Sequence, residues 1–282
     1  MKKSLSKIKA VLFFVILAID ILLAVFLIDI GRSDKFFVSF LNVGQGDATF
    51  INMPGSVRVF IDGGPGSDVL SGVGSRIPFF DKKIDIILLS HYDIDHFRGA
   101  LSILEKYDVS AVVGPDFDRK TPETEELKRL MKEKNIVFVP ASYGRRIVFD
   151  NGAFIDLVVP ENENSKKYNN YSVVAKLVYG NSSFIFTGDA ERDQEKEMLK
   201  EGFNLDSDVL KVGHHGSRTS TSEDFFNAVS PAYSIISVGA ENRYGHPHDE
   251  TLRRLFGTQI LRTDISGDIT FLSDGKNVYL AR

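Results

Sequence analysis

The pattern of hydrophobic and polar positions divides the chain into one long apolar run and a mixed region of shorter elements. Residues 10–28, AVLFFVILAIDILLAVFLI, contain a single polar interruption at Asp20. From about residue 36 the pattern changes, and short runs rich in β-branched and aromatic residues follow at 36–43, 48–53 and 57–62. The run IDIILLS at 84–90, apolar except for Asp85 and Ser90, predicts a strand that is buried on both faces.

Helical patterns alternate with strands in the remainder of the chain. A helix is predicted near 97–107, and a charged helix at 121–135 has Thr121 as its N-cap and Pro122 in its first turn. Hairpins are predicted across Asn151-Gly152 and across 180–182. Further helices are predicted at 191–201, 222–229 and 249–256, and further strands at 207–213, 232–238, 259–263 and 268–272. Strands in both halves with helices between them predict an α+β fold, an αββα sandwich of two mixed sheets in one domain at 36–282.

Residues 1–35 are predicted to form a cytoplasmic stub and a transmembrane signal anchor. The apolar run approaches the roughly 20 residues that a bilayer-spanning helix needs. Four lysines precede it, so the positive-inside rule places the N-terminus in the cytoplasm and the domain at 36–282 outside the cell membrane. A cleaved signal peptide is the alternative, but the run ends FLIDIGRSD, which lacks a small-residue cleavage site.

Composition and charge limit the kinds of site that the chain can build. There is no cysteine, so any metal must be held by histidines and carboxylates. The formal net charge is −4, and it is −6 without the four lysines and two aspartates of residues 1–30. That balance argues against a general polyelectrolyte binder and against tight non-specific binding of DNA.

The principal motif is His91-Tyr92-Asp93-Ile94-Asp95-His96, which directly follows the buried strand. The carboxyl ends of strands are where open sheets place their sites, and a short turn there can aim several side chains into one cavity. Imidazole and carboxylate groups suit Zn²⁺, Mn²⁺ or Fe²⁺. The alternative interpretation, a solvated acidic turn, does not account for the two histidines.

Two aspartates at the ends of other predicted strands join this motif. Asp62 lies in FIDGG, where the glycines allow another backbone to approach, and its predicted role is to orient a ligand histidine. An ordinary turn aspartate is the alternative for that position. Asp189 lies in FTGDA and is a candidate carboxylate bridging two metals.

The remaining four histidines also follow predicted strands or precede a predicted helix. Either His214 or His215 in VGHHGS could close a second metal site, and the other could contact a phosphate or act as an acid. His246 in YGHPH could donate a proton to a leaving oxygen, with His248 beside the substrate. All six histidines of the chain therefore lie in these clusters.

Taken in order, the motifs resemble those of the metallo-β-lactamase superfamily, and in particular the ComEC-type metallo-β-lactamase domain of DNA-uptake channels. The resemblance covers about 36–282 and includes FLNVGQGDATFI, IDGG, SHYDIDHFRGA, NNYSVV, FTGDAE, DVLKVGHHGS and NRYGHPHDETL. It implies an αββα fold and two divalent ions, Zn²⁺ or Mn²⁺. A ComEC channel has many spans, whereas this chain shows one apolar run.

The resemblance also implies how the ligands are shared. His91 and Asp93 would hold one ion, Asp95 and His96 the other together with His214 or His215, and Asp189 would bridge them. Asp93 replaces the second histidine of the broad superfamily pattern, which favours Mn²⁺ relative to Zn²⁺. No histidine lies between His96 and His214, so Asn170 or water would take the place of the usual third-motif histidine.

The function that these motifs and the resemblance predict is hydrolysis of a phosphodiester, with a DNA strand outside the cell as the first candidate substrate and no nucleotide cofactor. Asp95, His215 and His246 are the predicted catalytic groups. Alternatives are a phosphocholine ester of a wall polymer, a lactone or β-lactam, and a non-enzymatic binding module of an uptake or wall assembly that keeps its metal for stability. Groups predicted to contact the substrate are Ser217, Arg218, Arg243, His248 and Lys211, and for each of the three cations a solvated surface charge is the alternative.

Overall fold

The structure is a computed structural model that describes residues 9, 11–23, 35–78, 80–117, 120–159 and 171–281. Helix α1 occupies 11–23, and all of its side chains are exposed. Within these ranges no helix combines the length and the apolar character that a membrane span requires. The apolar run at 10–28 extends beyond the described part of α1 at both ends, so the anchor stays a prediction.

Eight strands form the first sheet, in the order β15-β14-β1-β2-β3-β4-β5-β6. The strands from β15 to β3 are antiparallel, and β3 to β6 are parallel. Their bounds are β1 Phe36–Phe40, β2 Thr49–Met53, β3 Val57–Ile61, β4 Lys83–Leu88, β5 Asp108–Gly114, β6 Val137–Pro140, β14 Ile269–Ser273 and β15 Val278–Leu280.

Seven strands form the second sheet, in the order β13-β12-β11-β10-β9-β8-β7. The hairpins β7–β8 and β9–β10 are antiparallel, as their turn residues predict, and β10 to β13 are parallel. Their bounds are β7 Arg146–Val148, β8 Phe154–Val158, β9 Val174–Tyr179, β10 Ser182–Phe186, β11 Val209–Lys211, β12 Tyr233–Ile236 and β13 Gln259–Arg262.

Helices cover the outer faces of both sheets. The first sheet carries α2 (Val69–Gly74), α3 (Ile94–Lys106) and α4 (Pro122–Glu133), and α4 begins with the predicted Thr121 cap, closed into a capping box with Thr124. The second sheet carries α5 (Arg192–Lys200), α6 (Glu223–Val229) and α7 (Asp249–Arg254), and a short helix α8 (Thr263–Ser266) follows β13. The predicted αββα sandwich is confirmed.

Three apolar layers hold the sandwich together: one between the sheets and one beneath each set of helices. Strand β4 is buried from both sides as predicted, since Ile87 packs in the outer layer and Leu88 in the central one. Burying apolar surface of this kind is the main favourable term in folding. The layered packing brings the carboxyl ends of β3 and β4 in one sheet opposite those of β10, β11 and β12 in the other.

Candidate metal centre

The first sheet contributes its ligands from the segment between β4 and α3. Asp93 is the N-cap of α3 in an extended conformation, and Asp95 and His96 lie in the first turn of the helix. His96 is completely buried, and its ring centroid lies 4.1 Å from that of His91. The sharp change from strand to helix therefore collects the potential ligands of the HYDIDH motif at one edge of the sheet.

Asp62 fixes the orientation of His96. Its Oδ2 lies 2.9 Å from His96 Nδ1 and accepts from Ser90 Oγ, while its Oδ1 accepts from the backbone N–H of Ser90. Because Nδ1 faces this carboxylate, Nδ1 keeps its proton whether the ring is charged or neutral, and Nε2 is the nitrogen that can present a lone pair to a metal in the cleft. Asp62 thus lies where its predicted orienting role requires.

Glycines allow the Asp62 loop to sit directly on α3, as the FIDGG motif predicts. A Cβ at Gly99 would lie 1.9 Å from the carbonyl oxygen of Gly63, a distance no side chain can occupy. The backbone N–H groups of Gly63 and Gly64 both donate to the carbonyl of His96. This close backbone contact sets the position of His96 relative to Asp62.

Asp189 enters from the second sheet, directly after β10. Gly188 has φ +52, a left-handed conformation that turns the chain, and the Asp189 N–H donates to Ser172 Oγ at 2.9 Å. The Asp189 carboxylate then faces both histidines of the first motif. Its Oδ1 lies 3.1 Å from His96 Nε2, and its Oδ2 lies 3.9 Å from His91 Nε2.

His214 and His215 lie in a turn of 3₁₀ type at Gly213–Gly216, and both have positive φ, at 47° and 53°. Two successive non-glycine residues in this region are strained, and such strain concentrates at functional sites. The conformation aims both side chains into the cleft. His215 Nε2 lies 3.7 Å from Asp189 Oδ1, and His214 Nε2 lies 3.7 Å from Asp189 Oδ2.

The groups around Asp189 consequently fall into two half-sites, one at each carboxylate oxygen. Asp95 joins the Oδ1 half, where its Oδ2 lies 3.2 Å from His215 Nε2. Asp93 joins the Oδ2 half, where its Oδ2 lies 3.7 Å from His91 Nε2. The Oδ1 half-site comprises His96, His215 and Asp95, and the Oδ2 half-site comprises His91, His214 and Asp93.

The donor atoms of these groups fit divalent metal ions. Nε2 of His91, Nε2 of His96 and Oδ1 of Asp189 are buried and make no hydrogen bond, because the 3.1 Å approach of the last two lacks hydrogen-bond geometry. Buried polar atoms normally have partners, and imidazole nitrogens converging with carboxylate oxygens are a typical ligand set for Zn²⁺ or Mn²⁺.

Each histidine also has an acceptor behind it. His91 Nδ1 faces Ser90 Oγ at 2.9 Å, and His215 Nδ1 donates to the carbonyl of Ser237 at 2.9 Å. His214 Nδ1 faces Glu191 Oε1 at 3.2 Å. These contacts favour the tautomer that leaves Nε2 free, which is the usual arrangement of metal-binding histidines.

Asp47, which none of the predicted motifs includes as a site residue, belongs to the same cluster. It is 5% exposed, and one ligand atom from each of Asp47, His96, Asp189 and His215 lies within 4.8 Å of the others. Its carboxylate approaches the histidines from behind, 3.7 Å from His96 Nδ1 and 3.3 Å from His215 Nδ1. This geometry favours a role in orienting the histidines and balancing their charge. The only local signal is a carboxylate directly before the predicted strand at 48–53.

Two of the groups predicted to contact the substrate are buried. Lys211 is buried, forms an ion pair with Asp47 and donates to the carbonyl of Gly188, so its charge is neutralised inside the protein. Ser217 is also buried, and its hydroxyl pairs with that of Thr219 at 2.9 Å. Lys211 is the last residue of β11 and reaches Asp47 behind the histidines, whereas the Ser217 hydroxyl is held within its own loop, where it also accepts from the Thr219 N–H.

The other predicted groups lie beside the centre. The ring of His246 is 5.6 Å from that of His214 and 4.9 Å from that of His248. Arg218 and Arg243 are exposed, and the backbone N–H of Arg218 donates to His248 Nδ1. Asn170 lies outside the described residues.

In the metal-free cluster, protonated histidines balance the negative charge of the neighbouring aspartates. Burial lowers the pKa of His215, but Asp189 and Asp47 raise it more, to about 9. The pKa of His96 is likewise raised well above its usual value, since Asp189 and Asp47 outweigh its burial. Burial raises the pKa of the Asp189 carboxyl, but the charges of His96 and His215 outweigh this and hold it well below its ordinary range. A divalent ion would replace these imidazole protons.

His246 behaves differently from His96 and His215. Burial together with the neighbouring charges of His214, His215 and His248 lowers its pKa to about 4. It is therefore a neutral imidazole at pH 7 and, in the metal-free site, a hydrogen-bonding group rather than a charged acid.

Comparison with known proteins identifies the family to which this architecture belongs. The family model of the metallo-beta-lactamase superfamily matches residues 41–240. ComE operon protein 3 of Bacillus subtilis is 33% identical over 253 residues, which is 83% of this chain and 32% of that protein. Recombination protein 2 of Haemophilus influenzae is 30% identical over 252 residues, 87% of this chain and 30% of that protein. The chain thus spans about a third of the length of these relatives, and the predicted resemblance to ComEC-type competence proteins is confirmed.

Solved structures agree on the fold. The metallo-beta-lactamase fold protein YhfI of Bacillus subtilis superposes with a TM-score of 0.57 at 12% identity, covering 85% of this chain and all of YhfI. The diiron β-hydroxylase CmlA of Streptomyces venezuelae superposes with a TM-score of 0.56 at 15% identity, covering 85% of this chain and 54% of CmlA. At these identities the likeness concerns the fold alone. Because the family model covers most of the domain and the fold agrees with it, the chain belongs to the metallo-β-lactamase superfamily.

Proposed function

We propose that the chain is a metal-dependent phosphodiesterase that binds two divalent ions, Zn²⁺ or Mn²⁺, and hydrolyses a DNA strand outside the cell membrane. The observation that carries the proposal is the division of the ligands about Asp189. Each carboxylate oxygen faces two histidine nitrogens, and a further aspartate lies beside one histidine of each pair, which supports one ion on each side with Asp189 between them. Paired ions about a shared carboxylate are typical of enzymes that cleave phosphate esters.

The residues of the chain have distinct roles in this proposal. His91, Asp93 and His214 would hold one ion, His96, Asp95 and His215 the other, and Asp189 both. The ions would supply a water nucleophile at neutral pH and offset the charge on the phosphoryl group. Asp62 holds His96 in place, Asp47 supports His96 and His215, and His246 lies where it can hydrogen-bond the leaving oxygen.

A local cluster of arginines supports an anionic substrate, although the chain as a whole is acidic. Arg192 and Arg254 both donate to the backbone carbonyl oxygen of Arg218, at 2.8 and 3.3 Å, which places the exposed residues Arg192 and Arg218 and the half-buried Arg254 in one region. That region adjoins the centre, because the Arg218 N–H donates to His248. Basic side chains that follow a phosphate backbone are the usual means of holding single-stranded nucleic acid.

The location outside the membrane is inferred from the N-terminus. The side chains of α1 are exposed on every face, and they are apolar, from Val11 to Leu23 with Asp20 as the exception. Such a helix buries nothing against the sandwich within the described residues, which supports an anchor in lipid. The lysines before it support an orientation with the domain outside.

The test is turnover by the purified full chain in detergent, loaded with Mn²⁺ or Zn²⁺. We expect hydrolysis of bis(p-nitrophenyl) phosphate and of single-stranded DNA, and its loss in Asp95→Asn, because that substitution removes a charged ligand oxygen from the Oδ1 half-site. Arg129→Gln, an exposed change on α4, is the control and should leave turnover unchanged.

Three other results would contradict the proposal. Turnover of the β-lactam nitrocefin alone would indicate hydrolysis of a carbonyl substrate. Turnover restricted to phosphocholine esters would indicate a wall-polymer esterase. No turnover of any substrate by protein with two ions bound would indicate a metal-stabilised binding module.

A further inference from the structure

An exposed aromatic ring lies at the mouth of the centre. The Tyr244 side chain is 65% exposed, although exposed aromatic rings forgo a large hydrophobic gain. Its ring stacks on that of His246, with centroids 5.6 Å apart and planes inclined by 25°. One face of the tyrosine is thereby occupied by a group of the site, and the ring remains largely open to solvent.

The loop that carries Tyr244 is held in position by Asn242. The Asn242 Oδ1 accepts from the backbone N–H groups of Tyr244 and His246, at 3.2 and 2.9 Å. Its Nδ2 donates to the carbonyls of Gly239 and His246, at 2.9 and 2.7 Å. The four hydrogen bonds fix the stacked pair without any ligand, so a partner for the open face meets a preformed surface.

The stack leads directly to the centre. His246 lies 5.6 Å from His214 between ring centroids, and His214 Nε2 is 3.7 Å from Asp189 Oδ2. Tyr244 is thus separated by one ring from the Oδ2 half-site, which is the more exposed half. His246 Nδ1 is buried and has no hydrogen-bond partner, so a polar group is available between the aromatic surface and the metal ligands.

We propose that Tyr244 is a stacking platform for the nucleobase next to the scissile phosphate, and that it makes the site selective for single-stranded nucleic acid among phosphodiesters. The proposal rests on the phosphodiesterase function proposed above. Every base presents a π face, so a single exposed ring binds bases with little sequence preference and contributes on the order of tenfold in affinity. In a duplex, that face is covered by neighbouring bases.

The surroundings of Tyr244 favour a base over a quaternary ammonium group such as choline. Sites for quaternary ammonium ions enclose the cation with several aromatic rings. Within the described residues His246 is the ring that Tyr244 contacts, which makes a flat surface and not a cage. The adjacent side chain is Arg243, which is exposed and positively charged, so it repels a cation and attracts a phosphate strand.

The first test measures binding by the metal-free full chain, which lacks the ions that turnover requires. An oligothymidine containing one 2-aminopurine reports stacking through its fluorescence, and anisotropy gives Kd. We expect Tyr244→Ala to abolish the fluorescence change and weaken binding about tenfold, and Tyr244→Phe to retain both, since the ring and not the hydroxyl stacks. The control is Tyr279→Ala, because Tyr279 is also an exposed tyrosine, with 48% of its surface accessible. It lies on β15, which is four strands, or about 19 Å, from β3, the strand that leads to Asp62.

The second test separates this proposal from the phosphodiesterase proposal. Thymidine 5′-(p-nitrophenyl phosphate) and methyl p-nitrophenyl phosphate share the scissile bond, but only the first has a base. We expect Tyr244→Ala to raise KM about tenfold for the thymidine ester and to leave KM for the methyl ester unchanged. If the wild type hydrolyses neither ester while the binding loss persists, the phosphodiesterase proposal fails and the platform stands.

Several outcomes would overturn the platform. Equal KM changes for the two esters would assign Tyr244 a general effect on the site through His246. Unchanged fluorescence in Tyr244→Ala would place the base elsewhere. Displacement of the oligonucleotide from the wild type by millimolar phosphocholine, absent with inorganic phosphate at the same concentration, would indicate a quaternary ammonium site.

Discussion

The two half-sites of the centre share Asp189 but differ in burial. In the Oδ1 half the His96 and His215 side chains are 0% and 2% exposed. In the Oδ2 half the His214 and Asp93 side chains are 35% and 55% exposed. Asp95 in the Oδ1 half is 34% exposed and His91 in the Oδ2 half is 12% exposed, so the contrast lies between His96 and His215 on one side and His214 and Asp93 on the other. On that basis the Oδ1 half is called the sealed half and the Oδ2 half the open half.

The groups that hold His96 and His215 in place are also more buried than the group that holds His214. In the sealed half, His96 is held by buried Asp62 and His215 by the buried carbonyl of Ser237. In the open half, His214 is held by Glu191, whose side chain is 53% exposed. Rigid ligands in a dry environment lose less entropy on binding an ion, so we expect the sealed half to bind more tightly and the open half to meet the substrate.

The largest effect is expected where the two halves join. Asp189→Asn removes the charge that both half-sites share, so we expect it to weaken both ions and lower kcat/KM by well over the roughly 100-fold typical of an outer-contact mutation. Metal content after dialysis, measured by mass spectrometry, should fall from two ions per chain toward none. Retention of two ions would show that Asp189 is not the bridging group. Far-ultraviolet circular dichroism checks that the variant is folded.

Matched alanine substitutions in the adjacent histidines compare the halves directly. His215→Ala should remove the tighter ion and abolish turnover, because the sealed half loses one of its two imidazoles. His214→Ala should leave one tightly bound ion per chain, detectable by titration calorimetry, with turnover restored in part by excess Mn²⁺. Equal loss of affinity in the two variants would remove the distinction between a sealed and an open half.

The sealed half should also make the metal-free protein sensitive to pH. The pKa of His215 is raised from 6.5 to about 9, so its protonation stabilises the folded state fully below pH 6.5, and this stabilisation is lost as pH rises through about 9. The shift corresponds to roughly 3 kcal/mol. We expect the Tm of the metal-free chain to fall between pH 6.5 and 9.5 and that of the metal-loaded chain to change less. A Tm of the metal-free chain that rises over this interval would contradict the assignment.

How far the sequence predicts the centre depends on whether a residue acts within its own segment. The HYDIDH ligands and Asp62 follow from short motifs at strand ends, and the strands follow from their apolar patterns. Asp47 and Lys211 pair across the two sheets, which no local pattern reveals, so the sequence neither marks Asp47 as part of the site nor shows that Lys211 is buried against it. The order of His214 and His215 depends on two left-handed residues, which sequence does not dictate. Strands β5 and β6 are not predicted either. β5 has seven residues, but a single residue separates it from the end of α3, so no loop marks where the helix stops and the strand begins.

The smallest expected effect compares the two carboxylates that support the histidines from behind. Asp62→Asn should lower metal affinity of the sealed half by about 10- to 100-fold, because the amide can present N–H to His96 Nδ1 and disturb the tautomer. Glu191→Gln should change affinity by less than about fivefold, since an exposed pair is screened by water and contributes little. Titration of each variant with Mn²⁺ at 0.05 and 0.5 M salt separates the cases, because only the Glu191 effect should shrink as salt rises. If Glu191→Gln cost as much as Asp62→Asn, solvent exposure would not set the strength of the two halves, and the difference would have to come from their ligands alone.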